Sequence, residues 1–284
     1  MKIAVAGASG GVGKIVTNAL RRSRHQVRGI DRNSSAEETA HEWVTADLTE
    51  HDQTLEALKG VDVIVNLAGL NGPIPLPEWE AHNTNVVISY NVLSAAAKLG
   101  IHRVVQASSV NAIGLAWSRS PSFDYFPVDL QHRSRTEDGY SLSKLIQELQ
   151  ADSVTRRHDG LSVISLRLHA VLNHAAQAQI ALERLGPSWA INGLFGYCTE
   201  ESVVDAIERA CSASVIGHEV LWVVEPETLV DEDSRTLAAR FYPDVPFVAP
   251  MSGRASFFDT SRTREILGWT PSTEDAPPTD LITL

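Results

Sequence analysis

Tyr140 and Lys144, in the segment GYSLSK, have side chains and a spacing that suit acid–base chemistry. They are four positions apart, which on a helix places both side chains on one face. A free phenol loses its proton near pH ~10, and a cation within a few Å lowers that pKa. A tyrosine held beside a lysine could therefore exchange a proton with a substrate near neutral pH. The same spacing also arises by chance on solvated helices. Other motifs in the chain are therefore needed to tell a catalytic pair from an accidental one.

A glycine-rich segment, GASGGVG at 7–13, follows the apolar stretch Lys2–Ala6. Glycines permit a tight turn, and they let backbone N–H groups and a helix N-terminus approach a pyrophosphate closely. This context of strand before and helix after favours a dinucleotide-binding turn. A P-loop is excluded because Ile15 stands where that motif needs Ser or Thr. A purely structural turn remains the alternative.

Acidic residues follow the next two predicted strands. Asp31, in GIDR, lies 18 residues after Gly13 and could accept hydrogen bonds from a ribose diol, which favours NAD over NADP. Arg32 beside it could instead hold a 2′-phosphate. Asp47, in TADL, either receives the adenine amino group or caps a helix.

Short apolar segments alternate with longer amphipathic ones along most of the chain. Strands are predicted at 2–6, 26–30, 42–46, 62–69, 103–108 and 162–168, and helices at 12–22, 54–59, 77–99 and from Tyr140 to 157. This alternation predicts an α/β fold, a doubly wound parallel sheet of the Rossmann type, with ligands at the carboxyl ends of the strands. We expect an NAD-binding domain over 1–170, extended by a strand at 219–225. Residues 171–284 then form mainly a small C-terminal substrate-binding lobe with a frayed tail at 274–280.

Composition narrows the classes of partner. The 284 residues carry 24 basic and 35 acidic side chains, a formal net charge of −11, without a basic run, so we expect no nucleic acid or membrane partner. Two cysteines without a CxxC spacing form no disulfide framework and no metal site is apparent. The N-terminus has no signal-peptide pattern and no apolar stretch is long enough to span a bilayer. A cytoplasmic protein with a small-molecule substrate is the expectation.

Further motifs follow in a fixed order: NLAG, NVVISYNVLSAA, ASSVNAIG, YSLSK and, late in the chain, FFDTSRTREILGWTP at 257–271. With the glycine turn, they resemble the short-chain dehydrogenase/reductase superfamily, and more narrowly its extended, NAD-dependent epimerase/dehydratase-like branch. The resemblance implies that Tyr140 is the catalytic acid/base and that Lys144 lowers its pKa and holds the nicotinamide ribose. Ser109 would hydrogen-bond the substrate oxygen. Ser108 would take this role if the family motif aligns one residue earlier.

Motifs and resemblance together predict a cofactor site along the strand ends. Its predicted residues are Gly7, Ser9, Gly10, Gly11, Val12, Gly13, Asp31, Arg32, Asp47, Leu48, Leu67, Ala68, Gly69, Asn85, Tyr140 and Lys144. One departure from the family pattern is Ile88, which stands where a glycine is usual and could alter packing near the cofactor.

The segment SVNAIG separates the reactions of this branch. It lacks the acidic pair typical of dehydratases, and Ile113 stands where epimerases usually have tyrosine. It is more similar to uronate dehydrogenases, which would place Asn111 near the substrate, although Asn111 could also be a turn residue. The leading hypothesis is an NAD-dependent dehydrogenase acting on a sugar-like or other polar secondary alcohol. An epimerase with retained NAD is second, and a non-catalytic nucleotide-sensing protein is third.

Substrate contacts and assembly are less constrained by the sequence. His169 and Arg184 are candidate partners for a substrate carboxylate or phosphate, or else ordinary surface or lobe residues. The loop 115–138 and the segment 169–196 should shape the pocket. The family resemblance also implies a homodimer in which the long helices 77–99 and 140–157 pair with those of a second copy.

Overall fold

A parallel seven-stranded sheet forms the centre of the computed structural model, which describes residues 1–33, 40–71, 77–172 and 175–271. Its strands are β1 Lys2–Ala6, β2 Gln26–Asp31, β3 Glu42–Thr45, β4 Val63–Asn66, β5 Arg103–Ser109, β6 Ser162–Leu168 and β7 Gly217–Val223. They lie in the order β3-β2-β1-β4-β5-β6-β7. The predicted doubly wound α/β fold is confirmed. The tail predicted at 274–280 lies outside the described residues.

Helices cover both faces of this sheet. The described α-helices are α1 Gly11–Arg22, α2 His51–Ala57, α3 Glu78–Leu99, α4 Gly139–Arg157, α5 Ala175–Leu185, α6 Pro187–Asn192, α7 Glu200–Ser212, α8 Ser234–Phe241 and α9 Ser261–Leu267. Ile3 and Val5 of β1 pack in one cluster with side chains of α1 and α7. Ala4 and Ala6 point to the other face and pack with side chains of α2, α3 and α4. This alternation is the period of two that a strand imposes.

The order of the strands reverses between β1 and β4, because the chain returns from the edge strand β3 to the other side of β1. A crevice opens at the carboxyl ends of the strands at such a switch point. The turns after the two strands touch there: a Cβ on Gly7 would lie 2.7 Å from the backbone N of Ala68. Only a glycine fits this contact, at a φ of +77°.

A third hydrophobic cluster lies beyond the sheet and its covering helices. It joins residues from distant parts of the chain, among them Phe126, Trp189, Trp222 and Phe257. It therefore packs the segment after β5 against α6, the end of β7 and the chain before α9. The division of the chain at residue 170 stays a prediction, since this cluster also includes side chains from the 110–130 segment.

Two further findings concern the described part of the chain. None of its helices has the length and apolar character needed to cross a bilayer. Nor does it bring together three His, Cys, Asp or Glu side chains in an arrangement that could hold a metal ion.

Candidate active site

A cavity of about 590 Å³ opens at the carboxyl ends of the strands, at the switch point. Fifteen of the sixteen predicted cofactor-binding residues line it, together with Ser109, Asn111 and His169. The predicted residues in its wall are Gly7, Ser9, Gly10, Gly11, Val12, Gly13, Asp31, Arg32, Asp47, Leu48, Leu67, Ala68, Gly69, Ser109, Asn111, Tyr140, Lys144 and His169. Ile88, the residue in place of the usual glycine, also lines it. The structure thus brings residues from eight separate segments of the chain into one concave site.

The remaining two cofactor and substrate candidates lie elsewhere. Asn85 is fully buried and does not line the cavity. Its Oδ1 accepts from Leu70 N at 2.7 Å, and its Nδ2 donates to Leu70 O and to Ser143 Oγ, each at 3.1 Å. Asn85 therefore anchors the turn after β4 to α3 and α4. Arg184 lines a separate cavity of about 310 Å³, which shares Asn71 and Trp117 with the first.

The glycine-rich turn leads directly into α1. A Cβ on Gly13 would lie 2.0 Å from the carbonyl oxygen of Gly7, so this glycine is required for the helix to pack on the strand. A Cβ on Gly11 would meet no atom within 4 Å, because that position faces open space. The helix begins after Gly10 with no side-chain cap and no acidic residue in its first turn. Its N–H groups are therefore available to an anion, and the helix dipole favours one.

The two predicted aspartates lie at the cavity edge. Asp31 Oδ2 accepts from Ser9 N at 3.1 Å, and its Oδ1 accepts from Arg32 N at 2.8 Å. These bonds fix the carboxylate beside the glycine turn. Asp47 Oδ1 accepts from both the backbone N and the Oγ1 of Thr49, and these hydrogen bonds lower the pKa of Asp47. Asp47 thus stabilises the turn before α2, although Glu50, not Asp47, is the N-cap residue.

Tyr140 and Ser109 meet at the other end of the cavity. Tyr140 is at the start of α4, and Asp138 caps that helix by accepting from Ser141 N at 2.8 Å. Ser109 Oγ accepts from Asn111 N at 3.2 Å and from Asn111 Nδ2 at 3.3 Å. Burial raises the pKa of Tyr140 to about 12, and a hydrogen bond from Ser109 partly opposes that rise.

Lys144 lies one turn further along α4, with its Nζ 5.7 Å from the centroid of the Tyr140 ring. The ammonium donates to Ala107 O at 2.9 Å and to Gln147 Oε1 at 3.3 Å. Burial lowers the pKa of Lys144 to about 8, while the charge of Glu148 acts to raise it. The lowering of the tyrosine pKa expected from this lysine is therefore not found in the protein alone, where burial of the phenol raises that pKa.

Beneath Lys144 lies an ion pair that the sequence analysis does not identify. Glu148 accepts from Arg167 Nε at 2.8 Å and from Arg167 Nη2 at 2.7 Å, and both side chains are almost fully buried. Ser108 Oγ also donates to Glu148, at 2.6 Å. Ser108 also lines the cavity, but its hydroxyl is bonded to Glu148, which favours Ser109 as the serine that faces the substrate. The i, i+4 spacing of Lys144 and Glu148 indicates that these two charges share one face of α4, whereas no local pattern points to Arg167.

His169 lines the cavity with both ring nitrogens engaged. Its Nε2 lies 2.8 Å from Gly193 O, and its Nδ1 accepts from Ala170 N at 2.7 Å. With Nδ1 accepting, the ring must donate through Nε2, so it is the neutral tautomer. Burial lowers the pKa of His169 to about 4, in agreement with this assignment.

The fold and the cavity together define a dinucleotide-binding protein of the Rossmann type. The uncapped N-terminus of α1 and the open space at Gly11 fit a pyrophosphate, and the carboxylate of Asp31 fits an adenosine ribose. Residues 3–189 match the model of the NAD dependent epimerase/dehydratase family, and the chain belongs to that family. The predicted membership of the extended short-chain dehydrogenase/reductases is thereby confirmed, as is the prediction of an NAD-dependent enzyme.

Individual relatives share this assignment. The chain is 31% identical over 174 residues to an L-arabinose 1-dehydrogenase (NAD(P)(+)) of Haloferax volcanii, covering 59% of this chain and 66% of that enzyme. It is 25% identical over 236 residues to a uronate dehydrogenase of Pseudomonas syringae pv. tomato, covering 82% and 78% of the two chains. A short-chain dehydrogenase/reductase superfamily protein from Agrobacterium tumefaciens, solved with bound NAD, superposes with a TM-score of 0.74. That structure is 20% identical and covers 96% of this chain and 93% of its own, and it supports the fold.

Proposed function

We propose that this protein is an NAD-dependent dehydrogenase that oxidises a secondary alcohol of a sugar or a similar polar molecule. The observation that carries the proposal is the meeting of Ser109, Tyr140 and Lys144 in the wall of the cavity that also contains the glycine turn. A dinucleotide lying along the strand ends, with its pyrophosphate at α1, would bring its nicotinamide to these three side chains. Two of the relatives named above are dehydrogenases of a sugar or a sugar acid.

The three side chains have complementary tasks in this reaction. The substrate hydroxyl would bind between the hydroxyls of Ser109 and Tyr140. Tyr140 Oη removes the proton of the substrate hydroxyl. The carbon that bears this hydroxyl loses a hydride to the cofactor and becomes a carbonyl carbon. Ser109 donates a hydrogen bond to the oxygen during this change. When bound, NAD⁺ supplies the hydride acceptor and a positively charged nicotinamide ring.

The charges explain why this tyrosine needs help to act as a base. With a pKa of about 12, the phenol of Tyr140 is neutral at pH 7 in the protein alone. Lys144, with a pKa of about 8, is still protonated at that pH and favours the phenolate. Two N–H groups of Lys144 Nζ donate to Ala107 O and Gln147 Oε1, and the third would donate to the nicotinamide ribose. We therefore infer that Lys144 both holds the cofactor and supports the proton transfer.

The test is NADH formation, followed by absorbance, with a panel of sugars and polyols. Tyr140→Phe keeps the ring and removes only the hydroxyl, so turnover should fall by roughly 10²- to 10⁴-fold, the usual effect of a positioned proton-transfer group. The affinity for NAD should change little. Tyr90→Phe, at an exposed tyrosine of α3, is the matched control and should behave as the parent.

Three outcomes separate the alternatives. NADH produced by the parent and lost in Tyr140→Phe supports the dehydrogenase. NAD that stays bound through purification, with interconversion of sugar epimers and no net NADH, indicates an epimerase. Binding of NAD without turnover of any alcohol would contradict both enzymes and favour a nucleotide-sensing protein.

We also propose that two copies of the chain pair through α3 and α4. These helices pack against each other and expose large apolar side chains, including Trp79, Tyr90 and Leu149, which are 66%, 53% and 56% exposed. A second copy would cover this surface, which is apolar and otherwise solvated. Light scattering should give twice the mass of one chain, and Leu149→Glu should give a monomer. A monomeric parent protein would contradict this assembly.

A further inference from the structure

We infer that the substrate is uncharged at the end held by this cavity: a neutral sugar or polyol rather than a sugar acid or a sugar phosphate. The inference rests on the proposed dehydrogenase function and specifies its substrate class. It separates the two kinds of substrate named by the relatives, which include one neutral sugar and the uronates. The observation behind it is the distribution of charge around the cavity.

Charged side chains line the cavity at two places only within the described residues. Asp31, Arg32 and Asp47 lie at the end where the adenosine would bind. At the reacting end the one ammonium is Lys144, which donates to Ala107 O and Gln147 Oε1 and faces the cofactor and Tyr140. None of these groups is placed to bind an acidic group on the far side of the substrate.

Among the described residues, His169 is the other basic side chain at the reacting end, and it is neutral. Gly193 O and Ala170 N already engage its two ring nitrogens. Protonating it would put a second hydrogen on Nδ1, against the backbone N–H of Ala170, in a buried place. It therefore offers an approaching carboxylate neither a positive charge nor a free donor.

The rest of the described wall at this end is uncharged, with the neutral amides of Asn71 and Asn111 beside apolar and aromatic side chains. Its wall includes Ala116, Trp117, Val171 and Trp189. Indole rings suit the C–H faces of a sugar ring, whereas they provide a carboxylate with no compensation for lost water.

Arg184 is the nearest alternative cation, and its placement is unfavourable. It lines the adjoining cavity, which meets the first at Asn71 and Trp117, and its side chain is exposed. An exposed, hydrated arginine in this adjoining cavity would bind a substrate anion weakly, since exposed ion pairs contribute little. The net charge of −11 further lowers the concentration of anions near the protein.

Matched substrate pairs test the inference directly. D-galactose and D-galacturonate, like D-glucose and D-glucuronate, differ at one carbon only, and D-glucose 6-phosphate adds a phosphate at the same carbon. For each pair that reacts, we expect kcat/KM of the parent protein to be at least roughly 10-fold higher with the neutral member. The reason is that the cavity offers the acid no charge-assisted hydrogen bond in place of the water that it loses. Arg184→Gln should leave this ratio unchanged.

A gain-of-charge variant provides a positive control. Asn71 is exposed and lines both cavities, so Asn71→Lys adds an ammonium at the junction without burying it. We expect this variant to raise kcat/KM for the uronate, relative to the neutral sugar, by roughly 10-fold. Asn71→Gln, which adds length but no charge, should not.

Outcomes that contradict the neutral substrate differ from outcomes that contradict the dehydrogenase function. A parent protein that prefers the uronate, with the preference lost in Arg184→Gln, overturns the neutral-substrate inference and leaves the dehydrogenase in place. Equal kcat/KM for both members of every pair also overturns it. A protein that reduces no NAD with any neutral or acidic sugar overturns the proposed function itself, and the inference with it.

Discussion

The cofactor half and the substrate half of the cavity are built in different ways. Each part of the cofactor half comes from one continuous strand, turn and helix, such as β1, the glycine turn and α1. The substrate half depends on the third hydrophobic cluster, which joins side chains as far apart as Val110 and Phe258. The cofactor half also contains charged groups at its rim, whereas the substrate half is mostly uncharged. The first half is therefore specified locally, and the second by tertiary packing.

The two halves meet at the buried pair of Glu148 and Arg167, where we expect the largest effect of a single substitution on stability. The Arg167 guanidinium also lies 4.7 Å from the ring centroid of Trp222, a member of the third cluster. Glu148→Gln leaves this cation buried without its counter-charge, and the free energy of unfolding should fall by about 3–5 kcal/mol. Urea unfolding measures the change.

Two controls separate this effect from a general loss of charge. Glu219→Gln removes a carboxylate from the more exposed pair with Arg262 and should cost under about 1 kcal/mol. Glu148→Gln combined with Arg167→Met removes both charges and should recover much of the loss, because no charge stays unpaired. A change below about 1 kcal/mol in Glu148→Gln would show that the pair does not link the halves.

This contrast also explains how much could be predicted from the sequence. The glycine turn, Asp31 and the Tyr140–Lys144 spacing are local patterns, so the sheet and most of the cavity wall could be predicted. The partners of Arg167 could not, because they are far from it in the chain, whereas α7 has a local signal in its N-cap Thr199 that the sequence analysis does not use. The family motif identifies Asn85 but does not indicate which way its amide points. In the structure the amide binds Leu70 and Ser143 rather than lining the cavity. The sequence leaves His169 as a candidate for substrate binding. Its bond to Gly193 O could not be predicted, because Gly193 lies in a turn 24 residues away.

The charge of Lys144 should make the stability of the protein depend on pH. The pKa of this lysine falls from 10.5 to about 8 on folding, so between these values the unfolded chain binds more protons than the native protein. Stability should therefore rise with pH across this window, by up to about 3 kcal/mol for this group. Lys144→Met should lack that rise, and the difference between the two unfolding curves from pH 7.5 to 10 measures it.

The same experiment needs a control lysine and an upper pH limit. Lys98→Met, at an exposed position near the end of α3, should run parallel to the parent. The raised pKa of Tyr140 acts in the opposite direction above about pH 10, where the native phenol keeps a proton that the unfolded one loses. Curves for Lys144→Met that parallel the parent would show that the lysine is not buried as a cation.

Two glycines of the phosphate turn should separate cofactor binding from folding. At Gly11 a side chain would enter open space, so Gly11→Val should fold normally and weaken NAD binding on the order of 100-fold by occupying the approach of the pyrophosphate. At Gly13 even a methyl group would collide with Gly7 O, so Gly13→Ala should lower the melting temperature. Fluorescence titration with NAD and thermal unfolding measure the two effects. Unchanged NAD affinity in Gly11→Val would mean that the turn is structural only.

The smallest expected effect concerns the choice between NAD and NADP at Asp31. Its carboxylate is fixed beside the glycine turn by the N–H groups of Ser9 and Arg32, and it would repel a 2′-phosphate while accepting hydrogen bonds from a ribose diol. The parent should therefore bind NAD more tightly than NADP. Asp31→Asn keeps the size of the side chain and removes its charge, so the ratio of the two dissociation constants should narrow by about 10-fold, or roughly 1.4 kcal/mol.

Arg32 determines how far this preference extends. Its side chain is exposed at the cavity edge and can partly compensate a 2′-phosphate, so Arg32→Gln should widen the preference for NAD. Asp52→Asn removes the same charge as Asp31→Asn from an exposed site in α2 and should leave the ratio unchanged. Titration of each variant with both cofactors gives the four ratios. Tighter binding of NADP by the parent would mean that Arg32, rather than Asp31, controls this end of the cofactor half, and that local sequence had identified the site but not its specificity.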